Sequence, residues 1–189
     1  MRLPVRQAAA VLAALVALTV AVFLPLRNAG FVGVDDPVYV VENGSVRAGL
    51  TAAGLLRAAT VPVAANWHPL TMLSLMLDAE LFGSGPRGFH LMNVLYHLGA
   101  SALAFLVLRR LTGATWRSAL AAALFAVHPL HVESVAWISE RKDVLSGVFF
   151  WLGLGAYHRY AARPTGTRGL LVTALLTAGQ ALGSLAAGS

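Results

Sequence analysis

Two neighbouring carboxylates, Asp35 and Asp36, follow the first long apolar run by a few residues and precede Pro37. Like charges side by side are unfavourable unless water, a cation or hydroxyl groups compensate them. A carboxylate so placed can take the proton of an acceptor hydroxyl, which is general-base work. The competing reading is a solvated Asp-Asp-Pro turn. Asn66-Trp67-His68-Pro69 forms a second polar and aromatic knot. Trp67 there either anchors at a membrane interface or stacks on a sugar or isoprenoid. His90, Asn93 and His97 recur at i, i+3 and i+7, so a helix presents all three on one face. Polar groups in an apolar helix turn toward protein or a cavity. They serve either as hydrogen bonds between helices or as the polar wall of a cavity.

The densest constellation comes later. His128-Pro129-Leu130-His131-Val132-Glu133 has the look of metal-ligand material, yet it is not His-Glu-x-x-His. Pro129 also disrupts the helix on which such a pair must sit. No metal ligand is assigned, although a divalent cation on the acidic pair is a further candidate. Hard cations usually need more oxygen ligands than two carboxylates supply. Glu140, Arg141, Lys142 and Asp143 follow. Arg141 offers a planar fork and Lys142 a point charge, a combination suited to phosphate. The alternative is ion pairing with Glu140 and Asp143.

These residues must be positioned by a membrane protein. The chain has 189 residues, 58% hydrophobic and 12% charged, with mean hydropathy +0.71. Soluble domains carry about 25% charged residues, so this chain has too little polar surface to cover a water-soluble globule. The net charge of +6 comes from arginines gathered at the ends of apolar runs. Membrane topology is set that way, and no basic stripe with interleaved aromatics points to nucleic acid. The chain has no cysteine, which excludes disulfides, thiolate metal sites and cysteine nucleophiles.

The apolar runs predict an all-α, polytopic helix bundle with the bilayer as its partner. About five transmembrane helices are expected, near residues 8–26, 89–108, 115–131, 144–160 and 169–187. The first is read as a retained anchor rather than a cleaved signal peptide, because no small-x-small cleavage site follows it. Residues 28–88 form a long external loop. Within it Pro37 and Asn43-Gly44 mark turns, and Thr51 caps a short helix through Leu56. Residues 70–82 make a helix too short to span, lying at the interface or packed on the bundle. A second external loop covers residues 131–143. Arg2 with Arg6, then Arg109, Arg110 and Arg117, then Arg159, Arg163 and Arg168 are expected on the cytoplasmic side. Both acid-bearing loops then face outward together, against the pull of Arg47, Arg57, Arg87, Arg141 and Lys142. Glu133 is expected near the interface, because a charge at mid-membrane costs about 2.5–3.5 kcal/mol.

FVGVDDP at 31–37, NWHPLTMLSLMLD at 66–78, LFG at 81–83, HLMN at 90–93 and HPLHVESVAWISERKDVLS at 128–146 occur in this order. Over about residues 28–163 the chain resembles the N-terminal membrane portion of bacterial relatives of the transmembrane and tetratricopeptide-repeat O-mannosyltransferases, glycosyltransferases of GT-C type. The resemblance implies transfer of a sugar from a polyprenyl-phosphate carrier to a protein or glycan acceptor. The setting would be the periplasmic or extracellular face of a bacterial inner membrane, with the N-terminus cytoplasmic. It implies a catalytic role for Asp35 and Asp36, one as base. The donor-phosphate pocket falls to Glu133, Glu140, Arg141 and Lys142, shaped by His128 and His131. Asn66, Trp67, His68, His90, Asn93 and His97 remain candidates for the acceptor side or pocket wall. Leu75 and Met72 depart from the polar and aromatic residues such a pattern leads one to expect. The family carries further spans and helical repeats, so the expectation is a portion of a longer enzyme. A membrane scaffold or assembly subunit is the alternative class. A transporter with His90, Asn93 and His97 along its path ranks last, because no inverted repeat is visible.

Overall fold

The structure is a computed structural model that describes residues 5–183. Arg2, and residues 184–187 of the expected fifth span, lie outside the described residues. Among those described the chain is helical, and the lone β-bridge joins Val63 to Asn66.

Helix α1 (Val5–Phe23) continues into a 3-10 turn at Leu24–Asn28. After the first loop, α5 (Pro86–Thr112) runs for 27 residues and stops at Gly113, whose φ of 69° is left-handed. Glycine adopts that conformation without a Cβ penalty. Helix α6 (Thr115–Val127) is followed by α7 (Leu130–Ala136) at an angle of 58°. The straight span expected over 115–131 is therefore bent. The helical region is disfavoured for the residue before a proline, and His128 before Pro129 is extended (φ −64°, ψ 131°). Helices α8 (Arg141–Ala162) and α9 (Gly166–Gly183) pack side by side as a closing hairpin.

By length and composition two of the described helical stretches can cross a membrane: Arg6–Asn28 and Pro86–Thr112. The bent α6–α7 pair makes a third if counted as one span. Among the described residues these criteria give two or three spans rather than the expected five or so. Charged residues at both ends of α8, Arg141 to Asp143 and Arg159, leave it a shorter apolar centre.

Residues 28–88 are a folded layer rather than an open loop. A short π-helical turn (Pro37–Val41), α2 (Gly44–Arg47), α3 (Ala52–Thr60) and α4 (Pro69–Phe82) build it. Asn43 caps α2 by accepting from the Ser45 and Val46 amides, so Asn-Gly starts a helix here rather than a hairpin. Thr51 caps α3 through the Gly54 amide, as predicted, and the helix runs four residues past Leu56 to Thr60. The layer has its own core, in which Tyr39, Val46, Met72, Leu75, Met76 and Phe89 are buried with Ile138 from the second loop. Leu75 and Met72 thus serve packing. Helix α4 buries Met72, Leu75, Met76 and Asp78, so it packs on the bundle instead of floating at the interface. Gly83 (φ 76°) turns the chain into α5, and a Cβ on Gly88 would lie 2.4 Å from Phe82 Cβ. A second core joins Val11 and Leu15 of α1 to Ala104 and Phe105 of α5 and Ala122 of α6.

Candidate functional site

The acidic pair divides. Asp36 is fully buried, and its carboxylate accepts from the Val32 amide (2.8 Å) and the Ser139 amide (2.9 Å). The second bond reaches across 103 residues and pins the first loop to the second. A carboxylate holding two backbone donors is a strong clip. Asp35 is half-buried, and its carboxylate makes no hydrogen bond to the described residues. Its charge reaches the Tyr39 phenol.

Around Tyr39 the two loops meet. Asn66 Nδ2 donates to Tyr39 Oη (3.5 Å) and to the Ala64 carbonyl (3.0 Å). Lys142 Nζ donates to both oxygens of Glu140, each at 2.8 Å, and both side chains are 20% exposed. The charges of Lys142 and Glu140 act on Tyr39 and on His68. Burial, and after it the Lys142 ammonium, holds His68 below its ordinary pKa. Its ring is neutral at pH 7 and 4% exposed, and neither nitrogen bonds to a described residue. Burial likewise pushes the Tyr39 phenol up, against the Asn66 bond and Lys142. Asn66 thus bonds Tyr39 within the first loop and Lys142 bonds Glu140 within the second, and the charges of the second pair reach Tyr39 and His68 across the junction that the Asp36–Ser139 bond pins. Among the described residues no three His, Asp or Glu side chains converge as a metal-ligand set.

The backbone beside Asn66 is strained. Val63 and Asn66 exchange backbone hydrogen bonds at 2.9 Å around Ala64 (φ 48°) and Ala65 (φ 62°). Both alanines occupy the left-handed region, which costs roughly 1–2 kcal/mol per residue. Strain of this kind gathers at functional sites. Here it precedes Asn66, whose side chain reaches Tyr39. Trp67 is 40% exposed, and its indole N–H donates to the Ala59 carbonyl, tying the segment to the end of α3.

Arg141 parts from Lys142. Its guanidinium is fully buried, paired with the Asp78 carboxylate. Nε donates to Asn93 Oδ1 (2.7 Å), Nη2 to the Phe89 carbonyl (2.9 Å) and Nη1 to Ser74 Oγ (3.4 Å). Phe89 and Tyr96 rings flank it at 6.0 and 5.7 Å. With its donors turned inward on protein groups, it braces α8 against α4 and α5. This differs from the phosphate role expected for it, because a buried guanidinium needs a carboxylate and acceptors close by. Burial pushes the Asp78 carboxyl up to about 6, with Arg141 opposing. Asn93 completes the brace by donating to the Val135 and Trp137 carbonyls, both at 3.2 Å.

The remaining candidates lie elsewhere. His90 is buried with Nε2 3.2 Å from the Gly30 carbonyl, steadying the segment before Asp35. His97 Nε2 donates to the Ala126 carbonyl at the α6 break (2.9 Å). The rings of His97, Phe125, His131 and His128 follow one another at 4.5 to 6.0 Å. His128 and Glu133 are exposed on the α7 side. His90, Asn93 and His97 thus make helix-to-backbone bonds, the first of the two roles open to them.

The motif reading missed Tyr39, Ser74 and Asp78. Asp78 was detectable as the first acid to interrupt the apolar stretch of α4, where a buried charge requires a partner. Nothing local singles out Tyr39, whose role comes from Asn66 and Lys142 folding onto it.

No family model matches the chain, and no solved structure does. Curated relatives do. The protein O-mannosyl-transferase Tmtc1 of Drosophila melanogaster is 39% identical over 151 residues, 76% of this chain and 18% of that protein. Protein O-mannosyl-transferase Tmtc2 of the same organism is 42% identical over 97 residues, 50% of this chain and 10% of that protein. Human protein O-mannosyl-transferase TMTC4 is 42% identical over 106 residues, 49% of this chain and 14% of that protein. The matched stretch spans less than a fifth of the length of each of these relatives. The homologues of this chain are thus eukaryotic proteins named as O-mannosyl-transferases, and the likeness to the Drosophila Tmtc1 protein extends over three quarters of it.

Proposed function

We propose that this chain is the membrane portion of a GT-C type glycosyltransferase that moves a sugar, mannose by the relatives' names, from a polyprenyl-phosphate carrier to a protein or glycan hydroxyl. The setting is the outer face of a bacterial inner membrane, with about five spans in this portion and the N-terminus cytoplasmic. One observation carries the reading: the Asp36–Ser139 bond pins the first loop to the second, which brings the charges of Glu140 and Lys142 within reach of Tyr39 and His68.

Asp35 is the base. Asp36 is fixed by two amides, whereas the Asp35 carboxylate has no competing donor among the described residues. The acceptor oxygen forms a bond to the anomeric carbon as the bond from that carbon to the phosphate oxygen breaks. The hydroxyl proton goes to Asp35, and the bonding electrons leave with the phosphate. Neutral His68 offers a ring nitrogen to the acceptor hydroxyl or the sugar. Lys142 turns from Glu140 toward the departing phosphate, whose charge a preorganised cation stabilises.

The test is mannosyl transfer from a short polyprenyl-phosphate mannose to a serine- and threonine-containing peptide, in proteoliposomes holding the full-length version of the protein. Loss of a positioned base slows transfer by about 10²–10⁴-fold, and that is the range expected for Asp35→Asn with its thermal midpoint unchanged. Asp36→Ala should lower the midpoint as well, because it strands two amides. Full transfer by Asp35→Asn removes the assigned base.

A further inference from the structure

One cavity lies away from the polar residues of the two loops, at the opposite end of the bundle. It measures about 480 Å³ and opens between α5, α8 and α9. Each helix contributes in the same register. On α5, Leu103 and Val107 lead to Arg110; on α8, Trp151 and Gly155 lead to Arg159; on α9, Leu175 and Leu171 lead back to Arg168. At 1.5 Å per residue, seven or eight residues separate the deep apolar side chains from the arginines by roughly 10–12 Å. The result is an apolar slot with three arginines at one mouth and, among the described residues, no carboxylate in its lining.

We infer that this slot holds an anionic phospholipid, with an acyl chain along α5, α8 and α9 and the headgroup phosphate on Arg110, Arg159 and Arg168. Charge complementarity argues for that occupant. Arginine recognises phosphate oxygens with paired N–H groups, and basic pockets between membrane helices bind anionic headgroups. Arg168 is ordered in advance: its Nη1 donates to the Arg163 carbonyl (2.9 Å) and the Arg159 carbonyl (3.5 Å). None of the three pairs with an acid among the described residues. Topology alone accounts for arginines at this end but not for their convergence, since Arg109, Arg117 and Arg163 belong to the same clusters and stay out of the slot. The inference is independent of the proposed transferase activity.

The experiment is native mass spectrometry of the purified full chain, titrated with phosphatidylglycerol or phosphatidylcholine. Phosphatidylglycerol should be retained in preference. At the headgroup level each Arg adds to anionic-lipid affinity, so R110Q/R159Q should weaken phosphatidylglycerol retention about 10-fold or more, while R109Q/R117Q leaves it nearly unchanged. Ala156→Phe, which fills the slot with the arginines intact, should also reduce retention. Thermal midpoints report that the variants are folded. Equal retention of the two lipids, equal loss in the control pair, or full retention by Ala156→Phe overturns the inference. Displacement by inorganic phosphate overturns it too, because a bare anion site needs no slot. So does loss of the preference in the longer protein, where further helices would then cover the slot.

Discussion

Removing one partner from Asp78 and Arg141 leaves the other charge buried among Phe89, Tyr96 and the α4 backbone. Breaking a buried pair from one side costs about 3–5 kcal/mol. Arg141→Ala should therefore lower the thermal midpoint in detergent far more than Lys142→Ala, whose pair is partly solvated. The pair also gives a pH signature. Asp78 holds its proton to about 6 in the fold and to about 3.9 in the unfolded chain. Between those values the fold retains a proton that the unfolded chain has released. The Asp78 contribution to stability is then greatest below about pH 4, falls as pH rises to about 6 and is flat above. Thermal midpoints measured from pH 4 to 7 should show that downward slope, and Asp78→Asn should lack it.

At the scale of the element, the instructive segment is the turn from Val63 to Asn66. Two-residue turns that place both central residues in the left-handed region favour Asn-Gly or Gly-Gly, yet alanine stands at both positions. Relieving one site is worth about 1 kcal/mol, so Ala65→Gly should raise the thermal midpoint by a few degrees. If the strain serves to present Asn66 and His68, transfer by the full-length protein should fall in the same variant. The α6–α7 bend is a comparable device. Pro129 stops α6, and His97 occupies the Ala126 carbonyl that the break leaves without a helical donor. A span that the apolar pattern reads as continuous becomes a corner, after which Val135 packs on Phe23 and Val144 and Ile138 on the first loop.

The whole molecule has two chemically different ends. Tyr39, His68, Glu140 and Lys142 gather at one, and Arg110, Arg159 and Arg168 at the other. The positive-inside rule predicts a cytoplasmic arginine end. Because the chain lacks cysteine, single introduced cysteines can test this. Ser84→Cys and Leu130→Cys should react with an impermeant maleimide from outside intact cells. Trp116→Cys, 72% exposed in the first turn of α6, should react only after the cells are permeabilised. The reverse pattern inverts the topology.

Some of this was legible residue by residue. Composition and apolar runs establish a helical membrane protein, because lipid demands that a spanning backbone satisfy itself. Thr51, Pro69, Gly83 and Pro86 mark helix ends by rules that act within one turn. The same-side placement of the two loops follows from counting spans. Tertiary structure decided what the polar residues do. Asp35 and Asp36 are neighbours of one type, yet only Asp36 meets the Ser139 amide. Arg141 and Lys142 are likewise adjacent, but successive helical residues point about 100° apart, so one enters the core and the other stays at its edge. Local sequence sets the charge of a side chain. Which partner neutralises it depends on residues that come close only after α4, α5 and α8 have packed.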